Sequence, residues 1–346
     1  MKKFFATFLT LATFALILAF STACGNSQTP ATAPLAPIEI SQATEQIETT
    51  EPTTETAPLA DSRTITNIDG TLLTIPTNIE TIVSIMPSNT EMLALLGLSD
   101  NIIATDTFSS DVAGISQEIA VLSTDNIDME YIISINPNIV IASDILRFMD
   151  DDPLSALSTV GIAVVYMPMS NTISEIQRDV RFLGELMNAE NIAESLIEQM
   201  DETILQISEI SETIANPRTV YMEIEPAPFM FSLGSGTFLN ELLEIVGAVN
   251  IFGGETGWIS VTDEVLLVEN PDVIVTNVGW LDNPIEEIAA RPGWEVLSAV
   301  QNEQIFQIDT NASSRPTPHI INVLVDLALA IYPEYFSQIE HVTFSE

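Results

Sequence analysis

The stretch AENIAESLIEQMDETILQISEISETI, residues 189–214, has the pattern of one long amphipathic helix. Its apolar residues recur on one face of a repeat of about 3.6 residues. They are Ile192, Leu196, Met200, Ile204, Ile207, Ile210 and Ile214. Glycine and proline are absent from the stretch. At roughly 1.5 Å per residue such a helix would be about 39 Å long, which is the width of a domain.

Strand and helix patterns precede this stretch, and a second set of the same kind follows it. We therefore predict an α/β fold of two Rossmann-like lobes, with mainly parallel sheets, joined by one long bridging α-helix. The alternative is an ordinary amphipathic helix packed on a single domain. The predicted segments are a signal peptide (1–23), a flexible tether (24–62), a first lobe (63–185), the bridging helix (186–215) and a second lobe (216–346).

The composition is that of a globular protein with an acidic surface. The 346 residues suffice for two domains with cores of their own, and hydrophobic residues make up 46% of the chain. Nine Lys and Arg stand against 49 Asp and Glu, which gives a net charge of −40. Such a surface repels nucleic acid, so we expect no nucleic-acid partner. A solubility adaptation is the simplest explanation of the charge.

The N-terminal residues have the pattern of an export signal. Lys2 and Lys3 precede an apolar run at residues 4–20, which is short for a membrane-spanning helix. Small residues then lead to Cys24, as in a bacterial lipobox, although Ser21 stands where that motif usually has leucine. We expect lipidation at Cys24 and a location at the outer face of the cell membrane. An uncleaved anchor and simple secretion are the alternatives.

The first half alternates strand and helix patterns. A hairpin is predicted at residues 63–75, around Asp69-Gly70. The spacing of Ser88 and Glu91 predicts a capping box that begins a helix after a strand at 81–86. Further strands are predicted at 101–105, 138–142 and 162–167, and further helices at 129–135, 154–160 and from 174 onward. This alternation predicts parallel pairing.

Several stretches resemble the class III solute-binding proteins of ABC importers. They include IVSIMPSNTEMLALLGLSDNIIATD (82–106), NIDMEYIISINPNIVIAS (126–143), WISVTDEVLLVENPDVIVTN (258–277) and RPTPHIINVLVDLALAIYPEYF (315–336). The resemblance extends over about residues 64–336. It implies two α/β lobes joined by one long helix, and a role in capturing ferric siderophores, cobalamin or related metal chelates.

The sequence contains no constellation typical of an enzyme. His319 and His341 are the only histidines, and neither has a metal-ligating partner at the spacing of a helical turn. There is no Gly-x-Ser-x-Gly motif, and the lone Cys24 is assigned to the lipid anchor. We therefore expect no enzymatic activity, no resident cofactor and no protein-bound metal.

Ligands of parallel sheets bind beyond the carboxyl ends of the strands, here in a cleft between the lobes. The predicted ligand-binding residues are Ser88, Arg147, Trp258, Trp280 and Arg315. Trp258 matches an aromatic position of the family. Aromatic rings with one or two arginines suit a large, planar, anionic chelate.

Each of these residues also has a plain structural interpretation. The tryptophans could belong to a core or an interface. Arg315 could cap the following helix, and Arg147 could pair with Asp150 or Asp151. His319 stands where the family often has arginine, which removes one anion contact.

Glu130 and Glu264 match the paired surface acids of the family, one on each lobe. The resemblance implies that these acids dock on arginines of a membrane permease, where opposite charges set register and association rate. Solvated helix faces are the alternative. The implied partners are the permease and its ATPase, a small-molecule chelate and the membrane through a lipid anchor. We expect a monomer.

We therefore expect a lipoprotein that captures an iron(III)-siderophore-type chelate and delivers it to an ABC importer. Iron ranks above cobalamin because ATDTFSSDV (104–112) and YMPMSNTISEIQRDV (166–180) are similar to iron-type relatives. The alternatives are a cobalamin-binding importer component and a surface module that binds or senses without transport.

Overall fold

Two parallel β-sheets, each between two apolar layers, organise the computed structural model, which describes residues 61–148 and 152–344. The predicted signal peptide, the lipidation at Cys24, most of the tether, and Asp150 and Asp151 lie outside the described residues.

The strands share the short lengths typical of α/β proteins. They are β1 (Ser62–Thr66), β2 (Leu72–Pro76), β3 (Ile82–Ile85), β4 (Ile102–Asp106), β5 (Ala120–Leu122), β6 (Ile139–Ser143), β7 (Ala163–Met167), β8 (Thr219–Glu223), β9 (Phe231–Leu233), β10 (Val249–Asn250), β11 (Trp258–Ser260), β12 (Val273–Thr276) and β13 (Ile305–Gln307).

The α-helices range from single turns to one long rod. They are α1 (Pro87–Leu95), α2 (Met129–Ile135), α3 (Ile173–Met187), α4 (Glu190–Ser211), α5 (Phe238–Ile245), α6 (Asp263–Glu269), α7 (Pro284–Ala289), α8 (Ser298–Gln301), α9 (Thr310–Ser314), α10 (Ile320–Ile331) and α11 (Pro333–Phe336). The 3₁₀ segments are Ser99–Asn101, Asp144–Phe148, Ser155–Val160 and Trp294–Val296.

The sheet of the first lobe has the order β5-β4-β3-β6-β7, and all its pairings are parallel. Ile82 of β3 pairs in register with Ile139 of β6. Ile82 belongs to the apolar layer on one face of the sheet and Val83 to the layer on the other. Because both faces are buried, these strands are continuous apolar runs in the sequence.

The sheet of the second lobe repeats this plan with the order β10-β8-β12-β13, again all parallel. Ile274 of β12 lies opposite Tyr221 of β8. A separate antiparallel pair, β9 with β11, holds Trp258 opposite Leu233. The predicted parallel pairing is thus confirmed in both lobes.

Helix α4 contributes buried residues to the cores of both lobes. Leu196 and Ile197, in its first half, belong to the core of the first lobe. Met200 and Ile207, further along, belong to the core of the second lobe. The predicted fold class, with two lobes and one long bridging helix, is confirmed.

The buried face of α4 differs from the predicted one near the start of the helix. Ile192 was predicted to be on the apolar face, but it is 45% exposed, and Ala193 is buried instead. The reason is the close approach of α3, where a Cβ added at Gly184 would lie 2.6 Å from the Cβ of Ala193. Two small residues therefore set which side of α4 faces inward.

The predicted capping box of α1 is wrong. The helix begins at Pro87, its N-cap is Met86, and no side chain caps it. Ser88 lies inside the first turn, and the carboxylate of Glu91 contacts the other lobe instead. The predicted helix at 154–160 is also corrected, because Ser155–Val160 is 3₁₀. The predicted hairpin is confirmed as β1 and β2.

The last described residues return to the first lobe, where Phe344 is buried in its core. Asn322 of α10 holds this segment by a hydrogen bond in each direction with the backbone of Val342. Among residues 61–148 and 152–344, no helix combines the length and apolar character needed to cross a membrane.

Candidate functional site

A cavity of about 330 Å³ lies between the carboxyl ends of the two sheets. The first lobe contributes residues at or just after the ends of β3, β6 and β7, and the second lobe contributes residues that follow β8, β12 and β13. Among the lining residues are Met86, Ser88, Asn89, Ser143, Met169, Asn171, Phe238, Trp258, Asn277, Trp280, Ser313 and Arg315. The cavity is of the size found in small-molecule sites.

The second lobe presents two exposed tryptophans to this cavity. Trp258 is 46% exposed and Trp280 is 57% exposed. Phe238 packs edge-on against Trp258, with ring centroids 6.1 Å apart. The exposed rings of these two tryptophans form flat, polarisable surfaces, which offer apolar contact area to a large planar ligand.

Arg315 also lines the cavity, but its guanidinium is engaged with the first lobe. Nη1 lies 3.2 Å from a carboxylate oxygen of Glu91, and Nη2 lies 2.7 Å from one of Asp111. Nη2 also donates to the backbone carbonyl of Phe108. Thr317, close by in the chain, donates its hydroxyl proton to the second oxygen of Glu91.

These contacts fix the charge balance of the cleft. Burial lowers the pKa of Arg315, but hydrogen bonds to Asp111 and Glu91 outweigh this effect, so its pKa lies above the ordinary value. Arg315 therefore remains a cation, and two carboxylates neutralise it. It is the only charged side chain among the described residues that line the cavity. The other polar lining groups are hydroxyls and amides.

The first lobe presents the N-terminus of α1. Met86, just before it, has φ of 126°, a conformation that is strained for a residue with a Cβ. The Asp106 carboxylate accepts the Met86 N–H at 2.8 Å, and the Thr90 N–H donates to the Met86 carbonyl at 3.1 Å. Buried Asp106 is thus committed to holding this turn. Ser88 and Asn89 follow the turn and line the cavity.

The structure does not bring Arg147 to the cleft. This residue lines a different cavity, of about 690 Å³, in the first lobe. Its guanidinium lies 3.7 Å from the Asp69 carboxylate and 5.1 Å from the centroid of the Tyr166 ring. Ser88, Trp258, Trp280 and Arg315, by contrast, all line the same cavity.

Both histidines line a further cavity, of about 390 Å³, which shares Arg315 with the cleft. His319 packs edge-on against Phe344, and Nε2 of His341 lies 2.7 Å from Asp326. His319, which stands at a position where the resemblance suggests an arginine in the family, therefore lies beside the cleft and not inside it.

Glu130 and Glu264 occupy equivalent places in the two lobes. Each is the second residue of a short surface helix, α2 or α6, and each is exposed. Each helix ends at an asparagine in the left-handed conformation, Asn136 with φ of 46° and Asn270 with φ of 45°. A hydrogen bond from its own backbone N–H and one from the Thr262 hydroxyl hold the pKa of Glu264 below its usual range.

Asn277 is a lining residue that the sequence did not single out. It follows β12 directly, and its side chain is almost completely buried. The rule that ligands bind beyond carboxyl ends would have found it, since the last residue of β12 is Thr276. The contact between Glu91 and Arg315 could not be predicted from local sequence patterns, because 224 residues separate the two.

Two α/β lobes, one bridging helix and a ligand-sized cleft between strand ends define a binding protein that captures a small molecule between its lobes. The chain belongs to the periplasmic binding protein family, whose model matches residues 82–312. The resemblance found in the sequence is thereby confirmed. Members of this family bind solutes outside the cytoplasm and are not enzymes, as predicted.

Individual relatives are similar over most of their length. The ABC transporter substrate-binding lipoprotein YvrC of Bacillus subtilis is 31% identical over 80% of this chain and 87% of that protein. The vitamin B12-binding protein of Vibrio cholerae is 25% identical, over 74% and 91%. The crystal structure of a possible iron-binding (periplasmic solute-binding) protein from Staphylococcus epidermidis is 28% identical, with a TM-score of 0.66, over 74% of this chain and 100% of that one.

Proposed function

We propose that this protein captures a metal chelate of low net charge in the cleft between its lobes and delivers it to the permease of an ABC importer. The supporting observation is the state of Arg315, which Glu91 and Asp111 neutralise. A strongly anionic ligand would have to break these ion pairs or remain unpaired in the cleft, and either is costly. A ligand without net charge meets rings, hydroxyls and amides that suit it.

This charge balance restricts which of the ferric siderophores expected from the sequence can fit the cleft. Ferric catecholates are strongly anionic, and haem carries two propionates, so neither matches the neutralised Arg315. Ferric trihydroxamates and corrinoids have little net charge and display amide and carbonyl groups. The cleft offers such groups hydrogen-bond partners in Ser88, Asn89, Asn171 and Asn277.

Of these two chelates we place the corrinoid first, which reverses the order expected from the sequence. The two exposed tryptophans offer apolar area to a corrin ring. The vitamin B12-binding protein of Vibrio cholerae is similar over 91% of its length. An iron chelate remains the second candidate because the Staphylococcus epidermidis protein is described as a possible iron-binding protein, and the requirement for low net charge favours a ferric trihydroxamate.

Delivery to a permease is supported by the surface helices. Glu130 and Glu264 hold equivalent positions at the N-termini of α2 and α6, where helix dipoles favour acidic side chains. Two exposed acids of this kind, one per lobe, would dock on basic residues of a permease that works with an ATPase. In this proposal the protein is a monomer, and a lipid on Cys24 holds it at the outer face of the membrane, as the name of YvrC indicates for that relative.

The experiment is a tryptophan-fluorescence titration of the purified full chain. The panel consists of cyanocobalamin, a ferric trihydroxamate, a ferric tricatecholate, ferric citrate and haem. We expect saturable quenching by cyanocobalamin, weaker or no quenching by the hydroxamate, and none by the anionic chelates. Saturable quenching by the tricatecholate alone would refute the charge argument. No response to any chelate from folded protein would refute chelate capture and favour a surface module that binds another partner.

A further inference from the structure

Asn277, which lines the cleft, has a buried side-chain oxygen without a hydrogen-bond partner in the described part of the chain. The residue is 5% exposed and lines the cavity. Nδ2 donates to the Ser313 hydroxyl at 3.1 Å, whereas Oδ1 has no hydrogen-bond partner within the described part of the chain. Buried amides normally pair both ends, so this oxygen marks a place for a donor that the free protein does not supply.

The hydrogen bonds of Ser313 fix the orientation of the Asn277 amide. The Ser313 hydroxyl has one proton and lies 2.6 Å from the carbonyl of Asp309 and 3.1 Å from that of Thr310. Because carbonyls only accept, this proton is committed to them, and Ser313 can only accept from Asn277. Nδ2 must therefore face Ser313, and the unpaired atom of this lining residue is an acceptor.

The first lobe offers hydrogen-bond donors to the cleft, whereas Asn277 of the second lobe offers an acceptor. Ser88 is 7% exposed and lines the cavity, and its hydroxyl can donate a hydrogen bond. Ser88 and Asn89 belong to the first turn of α1, where backbone N–H groups have no partner within the helix. The Asp106 carboxylate and the Thr90 N–H hold Met86, so this donor surface is fixed before a ligand arrives.

We propose that the cleft recognises peripheral primary carboxamides of its ligand. Carboxamide oxygens accept from Ser88 and the N-terminus of α1, and a carboxamide N–H donates to Oδ1 of Asn277. A carboxylate in place of that second group cannot donate, so it would leave Asn277 unpaired and place a charge against it. This inference rests on the proposed capture of a near-neutral chelate, and it specifies Asn277 as the residue that sets selectivity.

The test compares ligands that differ by a single group. Purified full chain is titrated with cyanocobalamin and with each of its monocarboxylic acids, in which one peripheral carboxamide has been hydrolysed. We expect at least one acid to bind about tenfold more weakly than cyanocobalamin. In Asn277→Leu, cyanocobalamin should lose about tenfold in affinity, and its preference over that same acid should shrink to about threefold or less. Ser195→Ala, on the exposed face of α4, is the control.

The outcomes separate this inference from the proposed function. If wild-type protein binds cyanocobalamin and every monoacid equally well, carboxamide recognition is refuted while chelate capture stands. If Asn277→Leu keeps the full preference for the amide, Asn277 is not the selective residue. If wild-type protein binds no corrinoid, both the corrinoid assignment and this inference are refuted. Should Asn277→Leu not fold, the ligand series on wild-type protein still decides.

Discussion

Arg315 and Glu91 lie 3.2 Å apart and form an ion pair between the two lobes, beside the cleft. Their side chains are 10% and 11% exposed, so water screens the pair little. Asp111 and Thr317 extend the contact on the two sides, through a second ion pair and a hydroxyl donor. Arg315, which the sequence suggested as a ligand-binding residue, therefore also connects the two lobes.

Removing the cation should destabilise the protein strongly. Arg315→Met leaves the buried Glu91 carboxylate without a countercharge, and we expect the free energy of unfolding to fall by about 3 kcal/mol. The double variant Glu91→Gln, Arg315→Met should recover part of this loss, because it removes the uncompensated charge. Urea unfolding measures both. A double variant as unstable as the single one would contradict the pairing.

The exposed tryptophans should report ligand binding, and the third tryptophan should not. Trp258 and Trp280 line the cleft, whereas Trp294 is fully buried and donates its indole N–H to Asp263 at 2.8 Å. In the double variant Trp258→Phe, Trp280→Phe, the remaining Trp294 emission should change little when cyanocobalamin is added. Affinity, followed by calorimetry, should fall about tenfold or more. Unchanged quenching in the double variant would place the ligand elsewhere.

Charge reversal at the surface helices should separate transport from binding. We expect Glu130→Arg with Glu264→Arg to abolish permease-dependent uptake and to leave chelate affinity within about twofold, since both acids are exposed and outside the cleft. Glu202→Arg, on the exposed face of α4, is the matched control and should leave uptake intact. Normal uptake by the double reversal would rule out docking through these acids.

Asp179 should make stability depend on pH in a defined direction. Burial raises its pKa above the ordinary 3.8, against the opposite effect of hydrogen bonds from Ser170 and Arg178. Between 3.8 and the raised value, the folded state binds more protons than the unfolded state, so stability falls as pH rises through this window. Asp179→Asn lacks this titration. The stability of wild type relative to Asp179→Asn should therefore decline from pH 4 to pH 7 in urea unfolding.

Much of the fold could be predicted because it depends on local patterns. The period of residues 189–214 predicts α4, and the continuous apolar runs predict β3 and β6, since burial on both faces requires them. The exposure of Ile192 could not be predicted, because it depends on the close contact of Gly184 with Ala193 across two helices.

The site was harder to predict from the sequence because its charged residues pair with partners that are far away along the chain. Glu91 and Ser88 have capping-box spacing, yet Pro87 begins the helix and Glu91 pairs with a residue of the other lobe. Arg147 comes after a strand, as a ligand-binding residue would, but its guanidinium pairs with the Asp69 carboxylate. In each case a local pattern fits, and a distant partner determines where the side chain goes.

The most direct test of the central claim is a calorimetric titration of the full chain with cyanocobalamin at low and at high salt. If a chelate without net charge binds beside a neutralised Arg315, saturation should occur at one ligand per chain, with an affinity that hardly depends on salt. Absence of binding by cyanocobalamin and by a ferric trihydroxamate, together with salt-sensitive binding of a ferric tricatecholate, would contradict the account.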